Sequence, residues 1–234
     1  MLLKRRKVQL ILLILSVVMI LSLNLSGLFP LTKNQQALAK IKSKYMILID
    51  VESNRLYLFE NGACIKQYLV ATGKYSTPTP IGYFKIVHKD TWGEGFGGRW
   101  MGFNVPWGKY GIHGTIFPNS IGGATSHGCI RMWNKDVKEV YKKVTIGTPV
   151  LIINGPYGPY AQGLRTLGPG DYGADVRAVQ KRLKELGFYQ YNADGRFGGG
   201  LVYSLNKFQA SKKLPKRNKV GKPEYDAMGI TACE

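Results

Sequence analysis

Apolar and polar positions alternate in short runs through the first half of the chain beyond residue 44. Alternation with a period of two is typical of β-strands with one buried face. We predict strands at Tyr45–Val51, Arg55–Glu60, Cys64–Ala71, Tyr83–His88 and Pro149–Ile153. Only Asn134 to Val144 has helical spacing, with Asn134 as its expected N-cap. Residues 45–154 are therefore predicted to form a mostly β, sandwich-like domain with one main helix.

The period changes after residue 163. Val176, Val179, Leu183 and Leu186 recur at intervals of three or four, which indicates an amphipathic helix. A second helical stripe begins at Val202, and Pro223 to Met228 is a short third candidate. Residues 164–234 are thus predicted to form a small all-α domain of three helices. Residues 155–163, rich in glycine and proline, are the expected linker.

The N-terminus has the pattern of a membrane-targeting segment. A basic cluster, Lys4–Lys7, precedes an apolar run from Val8 to Leu25. We expect residues 1–30 to be a signal anchor or a signal peptide and residues 31–44 a polar spacer. The run has a length between those of the two classes, and Ala37-Leu38-Ala39 has the form of a cleavage site. Because basic flanks stay in the cytoplasm, the rest of the chain is expected outside it, anchored to the membrane or secreted to the wall.

Composition and charge narrow the partners. A hydrophobic fraction of 44% with 20% charged residues excludes disorder throughout the 234-residue chain. The net charge of +19 is spread along the sequence, so it suits any polyanion. Export argues against nucleic acid and favours the polymers of a bacterial wall or a membrane surface.

One group of residues points to thiol chemistry. The chain has three cysteines, and an odd number in an exported protein leaves a thiol unpaired. His113 lies sixteen residues before Cys129, and His127 lies two residues before it. A histidine activates a cysteine by taking its proton, and either histidine is a candidate for this role. His88 has no such neighbours and is expected to be structural, as are Cys64 and Cys233.

Further features of this segment suggest how a reaction is supported. The amides of Gly128 and Cys129 are candidates for binding an oxyanion. Arg131 is placed to bind a substrate carboxylate or to depress the pKa of the thiol. The same residue types allow a rival interpretation, in which His113, His127 and Cys129 hold a catalytic zinc ion.

The segment Ser126-His127-Gly128-Cys129-Ile130-Arg131-Met132, after His113-Gly114-Thr115, resembles the signature of L,D-transpeptidases with a YkuD-type catalytic domain. Thr79–Phe84 resembles an upstream segment of the same family. The resemblance implies that Cys129 is the nucleophile and His113 the proton acceptor and donor, oriented by the carbonyl of Gly114. It implies backbone donors at His127, Gly128 and Cys129, and we add Ser126 and Arg131 as substrate-binding residues. No metal and no cofactor are implied.

The second domain has a resemblance of its own. Leu167–Val176, Asp194–Gly198 and Phe208-Gln209 are similar to the three-helix peptidoglycan-binding domain. Leu201 stands where that family has a threonine that caps the second helix. The two resemblances together imply an enzyme whose partners are peptidoglycan stem peptides and glycan.

The implied reaction is the formation of 3→3 cross-links through a cysteine acyl-enzyme, with release of D-alanine. Three alternatives stay open on the sequence: an L,D-carboxypeptidase that uses the same thioester, the zinc hydrolase, and a non-enzymatic wall-binding protein. We expect a monomer.

Overall fold

The computed structural model describes residues 43–155, 158–160 and 163–230. The expected membrane-targeting segment, nearly all of the spacer, four residues of the linker and Cys233 lie outside these ranges. Within them, no helix has both the length and the apolarity needed to cross a bilayer. The described residues from Tyr45 onward form one compact unit.

The N-terminal part of this unit is built on one large sheet, and each predicted strand is present within two residues of its expected bounds. Eight strands pair in the order β3-β2-β1-β10-β5-β6-β7-β9, and β4 pairs with β8 in a separate two-stranded sheet. The strands are β1 Tyr45–Asp50, β2 Arg55–Glu60, β3 Ala63–Leu69, β4 Thr72–Gly73, β5 Gly82–Asp90, β6 Trp100–Phe103, β7 Gly111–His113, β8 Ala124–Ser126, β9 Ile130–Arg131 and β10 Pro149–Ile153.

Strand β5 explains how this differs from the expected sandwich. Residues 82–85 pair with β10, whereas residues 86–90 pair with β6, and the register shifts between Ile86 and His88. An irregularity of this kind bends a strand and increases its twist. One curled sheet of eight strands therefore takes the place of two separate sheets.

Helix α1, Asn134–Lys143, is the predicted main helix. Its apolar stripe, Val137 and Val140, is fully buried in the same core as the inner faces of the sheet. The expected cap is absent: Trp133 holds the N-cap position, and no side chain caps the helix. The Asn134 side chain instead accepts a hydrogen bond from the backbone N–H of Thr115, so it joins the helix to the segment after β7.

The three C-terminal helices follow the predicted pattern. They are α2 Ala174–Glu185, α3 Gly199–Ser211 and α4 Lys222–Met228, and they enclose a second apolar core. Leu201, in the position where a capping threonine was expected, is 1% exposed and packs into this core. Gly198 is the N-cap of α3 and provides no side chain, so the helix gains apolar burial at this position instead of a cap.

Candidate active site

The register of two neighbouring strands brings His113 and Cys129 to one face of the sheet. β7 and β9 are parallel, with Ile112 opposite Ile130 and His113 opposite Arg131. Cys129 immediately precedes β9, and its thiol forms a hydrogen bond with the backbone of Gly111, the first residue of β7. Side chains alternate along a strand, so His113, Cys129 and Arg131 point to the same side. Because Gly111 is a glycine, no side chain of this residue separates the Cys129 thiol from the His113 imidazole.

The imidazole of His113 has a fixed orientation. Its Nδ1 lies 2.5 Å from the carbonyl oxygen of Gly114. A carbonyl only accepts, so Nδ1 carries the proton and the neutral ring leaves its Nε2 lone pair available. The rings of Phe96 and Trp100 lie 4.9 and 5.8 Å from it between centroids. The side chain is only 6% exposed as a result.

Burial controls the protonation of His113. Desolvation lowers its pKa from 6.5 to about 4; the Gly114 hydrogen bond opposes this shift, and the Arg131 charge adds to it. The ring is therefore neutral at neutral pH, which is the form that accepts a proton.

The Cys129 thiol is also neutral in the unliganded protein. Burial raises its pKa, and a hydrogen bond with the Gly111 backbone and the positive charge of Arg131 offset only part of that rise. Two neutral partners imply that the proton leaves the sulfur as the sulfur attacks, rather than before substrate arrives.

The turn that carries the thiol is braced by Ser126. Its hydroxyl donates to the Cys129 carbonyl at 2.6 Å and accepts from the Gly128 N–H at 3.0 Å. Ser126 is fully buried, so its hydroxyl is engaged inside the turn, although the residue borders the cavity. Its hydroxyl holds the turn, and its expected role in binding substrate stays a prediction. The Gly128 N–H, expected as an oxyanion donor, is likewise engaged, which leaves the amides of His127 and Cys129 as the candidate donors.

The proline-rich loop of residues 77–82, which overlaps the segment that resembles the family's upstream motif, also contacts this turn. The Thr77 hydroxyl donates to the Ser126 carbonyl at 3.1 Å. The Thr79 hydroxyl accepts from the N–H of Gly73 at 2.8 Å, which fixes the proline-rich loop to β4. The loop therefore belongs to the frame of the site.

A cavity of about 250 Å³ opens over these groups. His127 is exposed at its edge, in contrast to the buried His113, and Arg131 is half-buried. The cavity is lined by Gly95, Phe96, His113, Thr115, Phe117, Ser126, His127, Cys129 and Arg131. A mixed apolar and cationic wall of this kind suits a peptide that carries a carboxylate.

Sequence reasoning missed three residues that shape the site. Phe96 and Trp100 form the wall around His113, and Asn134 holds the backbone of Thr115 at 2.8 Å. Residues 90–111 are rich in glycine and tryptophan, but composition and alternation do not predict which ring meets the imidazole. Asn134 was predicted to cap its own helix, so its hydrogen bond to a residue far away in the sequence was not expected.

The alternative zinc site has no support in the geometry. Across residues 43–155, 158–160 and 163–230, no group of three His, Cys, Asp or Glu side chains is arranged to hold a metal ion. Cys64 and Cys129 are both free thiols, and Cys64 is exposed on β3, away from His113.

Comparison with protein families matches both parts of the chain. Residues 44–152 match the YkuD model, described as an L,D-transpeptidase catalytic domain. Residues 172–221 match a model described as a peptidoglycan binding domain. The two resemblances noted in the sequence are thereby confirmed.

Curated relatives agree. Over 109 residues, the chain is 43% identical to YkuD of Bacillus licheniformis and of Bacillus subtilis, both named as L,D-transpeptidases. The aligned region covers 46% of this chain and 65% of the length of each relative. Over 144 residues, it is 31% identical to YqjB of Bacillus subtilis, which is also named as an L,D-transpeptidase. This aligned region covers 55% of this chain and 79% of that protein. The chain therefore belongs to the L,D-transpeptidase family.

Solved structures of the same family are also similar. The catalytic domain of the Enterococcus faecium L,D-transpeptidase aligns with a TM-score of 0.42 at 27% identity, over 48% of this chain and 99% of that one. An L,D-transpeptidase from Stackebrandtia nassauensis aligns with a TM-score of 0.41 at 27% identity, over 49% of this chain and 58% of that one.

Proposed function

We propose that the protein is an extracytoplasmic peptidoglycan L,D-transpeptidase that forms 3→3 cross-links through a Cys129 thioester. The observation that carries the proposal is the state of His113. Its Nδ1–H is held by the Gly114 carbonyl, and the imidazole lines the same cavity as the Cys129 side chain. A neutral base beside a neutral thiol suits general-base activation of sulfur.

In the first half-reaction, the Cys129 sulfur attacks the carbonyl of the third residue of a tetrapeptide stem. The thiol proton passes to His113 Nε2 as the carbon–sulfur bond forms. When the tetrahedral intermediate collapses, its carbon–nitrogen bond breaks and the departing amine of D-alanine takes the proton from His113. A thioester to Cys129 remains.

In the second half-reaction, the amine of another stem attacks the thioester. His113 accepts a proton from this amine and returns it to the sulfur as the carbon–sulfur bond breaks. The new amide is the cross-link, and Cys129 regains its thiol. Water in place of the amine would give a tripeptide, which is the carboxypeptidase outcome.

Three further groups support this assignment. The amides of His127 and Cys129 are candidate donors to the oxyanion, because the Gly128 N–H is engaged by Ser126. Arg131 lines the cavity and carries the positive charge that suits a stem carboxylate. The C-terminal domain, matched as a peptidoglycan binding domain, would keep the site close to its substrate and raise its effective concentration.

The test is mass spectrometry of the intact protein after exposure to a carbapenem, which resembles the acyl donor. We expect one adduct, mapped to Cys129, in the parent protein and in Cys64→Ala, which removes an exposed thiol. Cys129→Ala should take up none. An adduct on another residue, or none on the parent protein, would disprove the proposal.

Product analysis separates cross-linking from trimming. Purified disaccharide tetrapeptide should give dimers joined between third residues and an equivalent of D-alanine. Tripeptide without dimers would instead identify a carboxypeptidase. Binding to sacculi without either product, from a protein that takes up no carbapenem, would identify a non-enzymatic wall protein.

A further inference from the structure

Tyr110 lies directly behind the turn that carries the reactive thiol. Gly128 has φ +106°, and a Cβ at this position would lie 2.6 Å from Tyr110 Cε1 and 3.1 Å from the Pro78 carbonyl oxygen. The first distance is shorter than real Cβ contacts, so the absence of a side chain at Gly128 lets the Tyr110 ring rest against the turn. Tyr110 also immediately precedes β7, the strand that ends in His113.

The loop that ends in Tyr110 contacts the C-terminal domain through its middle residue, Trp107. Residues 104–110 connect β6 to β7, and the N–H of Phe103 donates to the Tyr110 carbonyl at 2.8 Å across the base of this loop. Within the loop, Trp107 is 5% exposed and packs edge-on against Phe84 in the catalytic core. Its carbonyl accepts a hydrogen bond from Nη2 of Arg196 at 3.1 Å.

The C-terminal domain is packed tightly at this contact. A Cβ on Gly195 would overlap the Trp107 ring. The N–H of Gly173 donates to the Gly195 carbonyl at 2.9 Å, which ties two segments of the domain together beside the loop. Ala174, the first residue of α2, packs against the catalytic core itself.

The phenol of Tyr110 has both parts of the chain in its surroundings. Burial raises its pKa first, and the neighbouring Tyr172 and Cys129 raise it further, while Arg196 lowers it. The backbones of Tyr172 and Arg196 pair in an isolated antiparallel β-bridge within the C-terminal domain. The ring is thus bordered by the thiol turn and by the second domain.

We propose that Tyr110 is a positioning residue through which the C-terminal domain holds the Cys129 turn in its reactive geometry. This extends the proposed function, because it makes the second domain a support of the reaction centre as well as a wall-binding module. Arg196 binds the Trp107 carbonyl, and Trp107 belongs to the 104–110 loop that ends in Tyr110. The Tyr110 ring then contacts Gly128 in the turn. A displacement of about 1 Å at a reacting atom is enough to cost on the order of 100-fold in rate.

The test uses the full chain and measures the rate at which a carbapenem acylates Cys129. Tyr110→Ala should lower this rate by about 10- to 100-fold because the turn loses its support. Tyr110→Phe should stay close to the parent protein, since the ring and not the hydroxyl rests on Gly128. If Tyr110→Ala fails to fold, Tyr110→Leu provides the same loss of ring contact with more of the volume kept.

The contribution of the second domain is tested by a matched pair of arginines. Arg196→Ala removes the bond to Trp107, whereas Arg177→Ala removes a bond of the same kind to Ala193, at 3.1 Å inside the C-terminal domain. Only Arg196→Ala should slow acylation, and sacculus binding should be unchanged in it. Equal rates in the two variants would overturn the link to the C-terminal domain.

Alkylation by iodoacetamide separates this proposal from the proposed function. Peptide mapping follows Cys129 apart from the exposed Cys64. In Tyr110→Ala, alkylation of Cys129 should become faster at neutral pH, because a less buried thiol has a lower pKa, while carbapenem acylation becomes slower. Unchanged alkylation and acylation in a folded Tyr110→Ala protein would overturn the positioning role. A parent protein that no carbapenem acylates would refute the function, and the alkylation rates would still test Tyr110.

Discussion

At the scale of single residues, burial is what separates the two histidines. His127 lies two residues and His113 sixteen residues before Cys129, and residue chemistry alone leaves either as the base. Phe96 and Trp100 enclose His113, and the Gly114 carbonyl fixes its proton on Nδ1. His127 is exposed at the edge of the cavity, without such a fixed partner among the bonds described for the site.

The first prediction concerns the pH dependence of acylation. His113 accepts a proton only when neutral, and its pKa is lowered to about 4. The acylation rate should therefore keep its value as the pH falls through 6.5 and decline only towards pH 4. Rates measured from pH 3.5 to 8 test this. An acid limb near pH 6.5 would point to an exposed histidine as the base.

The second prediction concerns stability. In the unfolded chain His113 takes up a proton below about pH 6.5, whereas in the folded chain it does so only below about pH 4. Between these pH values the unfolded state therefore binds more protons than the folded state. The free energy of unfolding should fall as the pH drops through that window. His113→Gln should flatten this dependence in denaturant titrations, and His88→Gln, at an exposed position, should leave it. Identical slopes in the two variants would contradict the buried neutral state.

At the scale of elements, the turn before β9 depends on a glycine for two separate reasons. Gly128 has a positive φ, and the Tyr110 ring occupies the space of a side chain. Gly147 has a similar φ of +91°, but a Cβ there would meet no atom within 4 Å. The pair therefore separates backbone strain from steric overlap.

A third prediction uses this pair. Gly147→Ala should cost about 1–2 kcal/mol in unfolding free energy and leave acylation unchanged, because only backbone strain is added. Gly128→Ala should cost more and lower the acylation rate by on the order of 100-fold, because the turn must also move away from Tyr110. Chemical denaturation and carbapenem kinetics measure both. Equal effects of the two changes would show that Tyr110 does not restrict the turn.

Helix α1 contributes to the site through its first residue. The Asn134 side chain accepts from the Thr115 N–H and lies beside Gly97 and Gly114, the residue whose carbonyl orients His113. The fourth prediction is that Asn134→Ala costs about 1 kcal/mol in unfolding free energy and slows acylation, since the segment after β7 loses an anchor. Lys138→Ala, at an exposed position of the same helix, is the control. An Asn134→Ala protein as active as Lys138→Ala would contradict this role.

At the scale of the whole molecule, part of the positive charge is concentrated in one stretch of the C-terminal domain. The C-terminal domain has seven exposed cations within sixteen residues, and one of them, Lys222, pairs with Asp226. The seven are Lys207, Lys212, Lys213, Lys216, Arg217, Lys219 and Lys222. Because the net charge of the chain is +19, we expect this surface to bind an anionic wall more strongly than neutral glycan alone.

The fifth prediction follows from that surface. Retention of the protein on purified walls should fall as sodium chloride rises from 50 to 500 mM, because exposed charges are screened over a few ångströms at high salt. The double change Lys213→Glu and Arg217→Glu should weaken retention at low salt without altering carbapenem acylation. Co-sedimentation measures the bound fraction. If the retained fraction does not change with salt concentration, the prediction is wrong and wall binding depends on uncharged contacts.

The sequence by itself determined the two-domain order, the β-rich and helical halves, and the motif around Cys129. Each of these depends on local periodicity or on residues adjacent in the chain, so they could be read without coordinates. Strands β1, β2, β3, β5 and β10 and the three C-terminal helices were predicted in this way, whereas the short strands β4 and β6 to β9 were not. The curled sheet was not, because the bend in β5 depends on which partner each half of the strand has.

Only the tertiary structure decided how the motif works. The parallel register of β7 and β9 chose the face that His113 and Cys129 share, and the Phe96 and Trp100 rings set the pKa of the imidazole. It also showed the hydroxyl of Ser126 on the Gly128 amide. These relations join residues far apart in the chain, and sheet register and core packing arise from the free energy of the whole fold rather than from any local run of residues.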